Sequence, residues 1–296
     1  MDIRLIGGPN LIELIENRYG KSRVRLVKVT RHNGHHDLYE WTVEVLLEGD
    51  FDSAHRVGDN SNLLPTDTMK NTVYSLARSS SATSIEKFAG ELASFLLERN
   101  SQVSAVLVKV ESVLWKRLTV DGQPHPDSFL RGSNERQVTR LRLERSRDCT
   151  INSGFEELVV MKTAKSGFEG YIKDSLTTLK ETNDRLFGTA VSADWNYIEA
   201  VTCGTDIDFK ALHHDVRETM LKAFADHESL SVQHTLFAMA EAALNGFDAI
   251  EEIHMVMPNK HCLLVDLSRF GQDNPNEIFV PTDEPHGTIE ARLRRE

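Results

Sequence analysis

Histidine is the residue type that first suggests chemistry in this chain, because imidazole nitrogens are common metal ligands. Three of the twelve histidines, His32, His35 and His36, surround the dipeptide Asn33-Gly34. Without a cysteine or an acid at a zinc-ligand spacing, this group is interpreted as a solvated polar turn. His213-His214-Asp215 lies in a helical pattern, where adjacent side chains point in different directions. The sequence therefore predicts no metal-binding residues.

Local catalytic motifs are the next source of chemistry. The sequence has no GxGxxG, GxxxxGK[ST], GxSxG or HExxH motif, which excludes the families defined by each of them. One polar segment, Leu63 to Tyr74, is unusual. Its Thr66 or Asp67 could cap a following helix, or the helix start could form a small polar site for an anion. The residue pattern alone leaves both interpretations open.

The first half of the chain must position this segment, and it reads as β-β-α-α-β-β. Asn33-Gly34 favours a tight turn between two antiparallel strands. A capping box formed by Thr83 and Glu86 predicts the start of the second helix. The predicted elements are strands at 24–30 and 39–47, helices from Thr66 and Thr83, and strands at 103–118 and from Val138, after a loop containing Asp121-Gly122 and 124–126.

The second half repeats this order. Its predicted elements are strands at 158–161 and 193–201, helices capped by Asp208 and by Ser229 or Ser231, and strands at 250–257, 263–267 and 289–293. Each half therefore predicts an α+β unit, a four-stranded antiparallel sheet with two helices on one face. We expect a leader at 1–17, a first domain at 18–147 and a second at 148–296. The open sheet edges favour an oligomer.

Composition limits the classes of function. Among 296 residues, 34 Lys and Arg stand against 45 Asp and Glu, and the net charge of -11 argues against nucleic-acid binding. No apolar run approaches the roughly 18 residues of a membrane-spanning helix, and the N-terminus does not resemble a signal peptide. The three cysteines, Cys149, Cys203 and Cys262, are widely spaced, which favours reduced thiols in a cytoplasmic protein.

The motifs that identify a family follow one another along most of the chain. They are Arg18-Tyr19-Gly20-Lys21, Thr66 to Tyr74, Asp121 to His125, Lys162 to Arg185, Ser231-Val232-Gln233, Pro258-Asn259-Lys260-His261 and Gly271 to Glu277. In type and order, this set resembles the urate oxidase (uricase) family, with its last motif closest to bacterial members.

The resemblance implies a fold and an activity. Members of the family have tandem tunnelling-fold (T-fold) domains and assemble into a homotetramer around a tunnel. They oxidise urate with O2 and water to 5-hydroxyisourate and H2O2, without a metal or organic cofactor. The chain ends Arg294-Arg295-Glu296, without the peroxisomal signal of eukaryotic members, which implies a cytoplasmic enzyme of the bacterial type.

The resemblance also implies which residues bind the substrate. Arg185 corresponds to an arginine that holds urate through two hydrogen bonds, and Gln233 to a glutamine that pairs with the opposite edge. Phe168 corresponds to the stacking residue, and Val232 would contribute a backbone N–H.

The resemblance implies a role in proton transfer for a second set of residues. Lys21 and Thr66 correspond to the family's proton relay, and His261 extends it. Asn259 corresponds to the residue that holds O2 or water, and Asp67 to a neighbouring acid that orients the network. In the family, Lys21 and Thr66 come from one subunit and Arg185 and Gln233 from its neighbour.

Two alternatives of other kinds stay open. The chain could be another tunnelling-fold enzyme that acts on a pterin or a related heterocycle, although such enzymes commonly use a metal. It could also be a purine-binding or structural oligomer without activity. A metal analysis tests the first alternative, and urate binding without oxygen uptake would support the second.

Overall fold

The architecture is taken from a computed structural model, which describes residues 12–146 and 148–296, except for the side chain of Asp283. Most of the predicted leader, 1–17, lies outside these residues. The described part of it, residues 12–17, belongs to no helix or strand. In the described residues, no helix combines the length and the apolar composition needed to cross a membrane.

Eight strands form one antiparallel sheet in which every strand pairs with its neighbours in chain order. They are Tyr19–His32 (β1), His35–Gly49 (β2), Val103–Val120 (β3), Gln123–Glu144 (β4), Cys149–Lys162 (β5), Phe187–Tyr197 (β6), Ile250–Leu264 (β7) and Phe279–Arg294 (β8). The α+β fold class is confirmed. The sheet is continuous across the two halves, because β4 and β5 pair from Leu143↔Cys149 to Arg136↔Glu156.

The longer helices pack on one face of this sheet, whereas the short first helix has no buried residue. They are Asp52–Val57 (α1), Thr66–Ser79 (α2), Ile85–Arg99 (α3), Phe209–Asp226 (α4) and Val232–Gly246 (α5). The predicted apolar face of α3 is buried, with Phe88 and Leu92 fully inaccessible. A single hydrophobic cluster joins the helices of both halves to the sheet, and it includes Trp41 in the first half and Trp195 in the second. This packing buries apolar side chains of β2 to β7, whereas the edge strands β1 and β8 are mostly half-buried or exposed.

The other face of the sheet is polar, since side chains alternate along each strand. Charged residues there pair across strands: Arg142 Nη2 lies 2.8 Å from Glu48 Oε2, and Arg140 Nη2 lies 3.3 Å from Glu156 Oε1. These pairs are partly exposed, so each contributes little to stability.

Several local predictions were wrong in detail. The N-cap of α3 is Ser84, whose hydroxyl accepts from Lys87 N at 3.2 Å, so Thr83 does not cap the helix. Glu86 points into the core, where its carboxylate accepts from Ser153 Oγ at 2.7 Å. Residues 124–126 belong to β4 because the turn at Asp121-Gly122 is tight. In the second half the predicted caps are confirmed: Asp208 is the N-cap of α4, and Ser231, not the alternative Ser229, is the N-cap of α5.

The prediction of three reduced cysteines is also corrected. Cys149 and Cys203 form a disulfide with a Cα–Cα distance of 6.3 Å, and Cys262 is free and half-buried. Because β5 and β6 are antiparallel neighbours, the start of β5 lies beside the end of β6 and the loop that follows it. Spacing in the sequence could not reveal this pairing, since 54 positions separate the two cysteines.

Candidate functional site

Lys21 lies at the start of β1, where the backbone approaches β2 closely. A Cβ atom on Gly20 would lie 1.8 Å from the carbonyl oxygen of Val45, so only glycine fits before the lysine. The β1–β2 register shifts between Lys21 and Val24, and Arg23 has a φ of 59°. A bulge of this kind changes the direction in which neighbouring side chains point.

The start of α2 is held beside this part of β1. Tyr19 Oη donates to the Leu64 carbonyl at 3.1 Å and accepts from Leu64 N at 2.7 Å. Two residues later Thr66 begins α2 after Pro65, and no side chain caps that helix in the described structure. Neither Thr66 nor Asp67 is therefore a cap, so the interpretation of this segment as a helix cap is wrong.

Asp67 is exposed and surrounded by donors. Lys70 and Asn71 both donate to its carboxylate, Asn71 at 3.0 Å. The pKa of Asp67 is lowered, first by the hydrogen bond from the Lys70 ammonium and also by the charge of Lys21. Because the Tyr19–Leu64 hydrogen bonds hold the start of α2 beside the start of β1, Lys21, Thr66 and Asp67 lie in one region, and these three residues are here called the relay group.

A second group forms between β5 and β6. The guanidinium carbon of Arg185 lies 5.4 Å from the centre of the Phe168 ring. Their positions follow from the backbone, because Phe168 pairs with Thr182 through two hydrogen bonds, at 2.6 and 3.2 Å, and Arg185 N donates to Ser166 O at 2.9 Å. A loop of more than twenty residues is thereby folded so that its two ends meet.

The start of α5 joins the same group. Ser166 forms an isolated bridge with Ser229, and Gly167 N donates to Ser229 O at 2.8 Å. Ser231 then caps α5, accepting from His234 N at 3.1 Å. The first two helical residues are Val232, which is buried, and Gln233, which is exposed. Phe168, Arg185, Val232 and Gln233 are here called the recognition group.

Arg185 carries the main electrostatic feature of the recognition group. Its Nε atom is buried and has no hydrogen-bond partner among the described residues. The pKa of Arg185 is lowered by burial, but a guanidinium stays charged at any physiological pH. A buried donor without a partner is unfavourable. A planar, acceptor-rich anion stacked near Phe168 would satisfy it.

Asn259 and His261 lie toward the end of β7. Asn259 is opposite Thr189 of β6 and Gly287 of β8, and the β7–β8 register shifts between Asn259 and His261. Both side chains are half-buried. Since β6 begins just after Arg185, these two residues occupy the same end of the sheet as the recognition group.

The relay and recognition groups are far apart within one chain. The start of β1 is at the end of the sheet where β6 finishes, whereas Arg185 precedes the start of β6. Four strands separate β1 from β6, which corresponds to about 24 Å along the sheet. One chain therefore cannot place Lys21 and Arg185 on the same small molecule.

Two neighbours of the recognition group were missed. Tyr171 stacks on Phe168 with ring centres 4.8 Å apart and planes 13° apart, and its hydroxyl donates to Leu179 O at 2.6 Å. In the first turn of α5, Thr235 Oγ1 donates to the fully buried Ser229 Oγ at 2.8 Å. The Phe168-x-x-Tyr171 spacing was the available signal for the first contact. The second depends on loop packing that the sequence does not indicate.

A groove of about 830 Å³ runs along β1 and the end of α2, lined by residues such as Lys28, Tyr74 and Arg78. None of the predicted site residues lines it. The volume alone therefore gives no reason to move the candidate site away from the two groups.

Comparisons with known proteins identify relatives over most of the chain. A family model described as Uricase matches residues 17–142 and 151–290. The uricase of Arthrobacter globiformis is 41% identical over 285 residues, covering 96% of this chain and 91% of that protein. The uricase of Dictyostelium discoideum is 37% identical over 287 residues, covering 95% of this chain and 97% of that protein.

Solved structures support the same relationship. The crystal structure of the Arthrobacter globiformis uricase matches with a TM-score of 0.88 and 40% identity, covering 96% of each chain. The urate oxidase of Bacillus sp. TB-90 shares the fold, with a TM-score of 0.82 at 21% identity, covering 94% of this chain and 100% of that one. The class is thus an α+β oxidoreductase built on the tunnelling fold. The chain belongs to the uricase family, as the ordered motifs predicted.

Proposed function

We propose that the protein oxidises urate with O2 and water to 5-hydroxyisourate and H2O2, using no metal or organic cofactor. Family membership supports the substrate and the reaction class. The observation that carries the proposal is the buried Nε of Arg185 beside the Phe168 ring, which has no hydrogen-bond partner in residues 12–146 and 148–296. Urate is a flat anion with several acceptor atoms, which suits such a donor and an aromatic surface.

In the proposed complex, Phe168 stacks on the purine while Arg185 donates two hydrogen bonds to one edge of it. Gln233 pairs with the opposite edge, because an amide can donate and accept at once. Val232 supplies its backbone N–H, which the start of a helix leaves without an intrahelical acceptor.

Lys21 and Thr66 take part in proton transfer, removing a proton from urate so that an electron-rich dianion can pass electrons to O2. Asp67 orients this pair, and His261 extends the relay. Asn259 holds O2 or water above the purine. One urate, one O2 and one water yield one 5-hydroxyisourate and one H2O2, so no further reductant or oxidant is required.

The proposed site is shared between subunits of a homotetramer. This proposal is supported by the separation of the relay and recognition groups within one chain, about 24 Å across the strands of the sheet. The division into domains at 18–147 and 148–296 stays a proposal, since the sheet is continuous across it. Cytoplasmic location is also proposed, and the thiol state of Cys149 and Cys203 in cells would test it.

The decisive experiment is aerobic incubation of chelator-treated, metal-free protein with urate, following urate absorbance, O2 uptake and H2O2 together. We expect equal consumption of urate and O2 with one H2O2 formed for each. Restoration of activity only by added metal would favour the pterin-type alternative. Urate binding with no O2 uptake would favour a binding protein. Lys21→Met should abolish turnover while urate binding is retained, and normal turnover would disprove its role.

A further inference from the structure

The tip of the β1–β2 hairpin carries a group of metal-ligating side chains away from the site described above. His32 and His35 are directly opposite each other across the turn, and Thr30 is opposite Asp37. Residues paired across a ladder, and residues two apart along a strand, share one face of the sheet. His32, His35 and Asp37 therefore point to the same side, whereas His36 belongs to the other face.

The ligand atoms of these three residues are already close. One ring nitrogen of each histidine and a carboxylate oxygen of Asp37 all lie within 4.8 Å of one another. His32 Nε2 lies 3.0 Å from Asp37 Oδ2, and the two imidazole rings are stacked with centres 4.7 Å apart. Small rotations of exposed rings can bring such atoms to the roughly 2 Å that nitrogen and oxygen ligands need.

Asp37 is oriented by a neighbour on another strand. Arg117 of β3 donates to Asp37 Oδ1 at 3.4 Å and to the carbonyl oxygens of His125 and Pro126 at 2.9 and 2.7 Å. Its contact is with Oδ1, so Oδ2 is left facing the histidines. Partners that orient a ligand in this way are typical of metal sites.

From this geometry we propose that His32, His35 and Asp37 bind one divalent transition-metal ion such as Zn²⁺, Ni²⁺ or Cu²⁺. Two imidazoles with one carboxylate suit these ions better than Mg²⁺ or Ca²⁺, which prefer oxygen ligands alone. Both histidines are exposed, so water completes the coordination. The sequence alone favoured a solvated turn because the spacing did not show that Asp37 returns to the histidine face.

The metal ion would not take part in urate oxidation. Lys21 lies eleven residues before His32 on the same strand, about 30 Å or more away in extended backbone. Binding of the ion and turnover of urate are therefore separate measurements, and failure of either leaves the other unaffected.

Titration calorimetry of the metal-stripped full chain with ZnCl2 tests the site. We expect one equivalent to bind, and His32→Ala, His35→Ala and Asp37→Asn each to weaken that binding about tenfold or more. His36→Ala, on the other face, and His234→Ala, at a distant histidine pair, are matched controls that should bind like the parent. Circular dichroism verifies folding, and His35→Gln provides a gentler second variant.

Cu²⁺ provides an independent readout, because electron paramagnetic resonance reports nitrogen ligands directly. The parent protein should give a spectrum of two coordinated imidazoles, and His35→Ala should reduce it to one. Unchanged Zn²⁺ binding in the His32 and His35 variants, an equal loss in His36→Ala, or the absence of an equivalent of bound ion would each overturn the proposal.

Discussion

The guanidinium carbon of Arg185 lies 5.4 Å from the centre of the Phe168 ring, and its buried Nε has no hydrogen-bond partner among the described residues. Lysine would keep the charge but lose the planar set of donors. We expect Arg185→Lys to raise KM for urate about ten- to a hundredfold, because a charge-assisted hydrogen bond contributes about 1.5–3 kcal/mol. Steady-state kinetics measure this, and Arg131→Lys, at an exposed position, should leave KM unchanged.

Separation of the relay and recognition groups predicts complementation between subunits. Lys21→Met lacks the relay and Arg185→Ala lacks recognition, so each alone should be nearly inactive at low urate concentration. In a mixed oligomer, the Arg185 variant supplies a native Lys21 and the Lys21 variant supplies a native Arg185. Some shared sites therefore contain both native residues. We expect co-expressed, doubly tagged oligomers to exceed the summed activity of the parents. No gain in verified mixed oligomers would mean that the two groups do not share a site.

Stability should decrease in mild acid because of His213. Burial lowers the pKa of His213 to about 4, while its ring contacts Gly154 O at 3.0 Å. In the unfolded chain His213 is protonated near pH 6.5, whereas in the folded chain it is protonated only near pH 4. The contribution of neutral His213 to the free energy of unfolding is therefore fully present above pH 6.5. It is lost as the pH falls toward 4, by about 3 kcal/mol in all.

Urea unfolding at several pH values measures this slope. His213→Gln should flatten it, whereas His214→Gln, at the exposed adjacent position, should leave it as in the parent. An unchanged slope in the His213 variant would assign the acid sensitivity to other groups.

A buried ion pair joins β4 to α4. Arg217 Nε and Nη2 lie 2.6 and 2.8 Å from the two carboxylate oxygens of Glu135, which is 3% exposed. Arg217→Met leaves that carboxylate buried without its partner, so we expect a loss of about 3–5 kcal/mol in the free energy of unfolding. Replacing both residues, with Glu135→Gln added, should restore part of it. Glu218→Gln, which removes only an exposed contact of Arg217, should cost less than about 1 kcal/mol.

The Cys149–Cys203 disulfide predicts one free thiol per unfolded, unreduced chain. Mass spectrometry after alkylation should find only Cys262 modified, and three modified cysteines would contradict the pairing. A bridge over 54 residues restricts the unfolded chain, so Cys149→Ser should lower the free energy of unfolding by about 2–4 kcal/mol. Cys262→Ser is the control, and we expect it to retain nearly all of the stability.

Elements with strong periodicity could be predicted from the sequence, and boundaries set by tertiary packing could not. The turn at Asn33-Gly34 and the cap at Asp208 agree with the structure because both depend on neighbouring residues. Ser84 instead of Thr83 caps α3, since burial of Glu86 against Ser153 removes it from the predicted capping box. The short helix α1 has no buried residue and therefore had no periodic signal.

Alternation of apolar and polar residues, together with the ordered motifs, was sufficient to determine the fold class and the family from sequence alone. These properties depend on residue type and local spacing, which the sequence states directly. Only the tertiary structure decided three contacts: the pairing of β4 with β5 across the two halves, the disulfide between Cys149 and Cys203, and the approach of Asp37 to the two histidines of the turn. Such contacts depend on strand register and loop paths, where a shift of one residue reverses the face of every side chain.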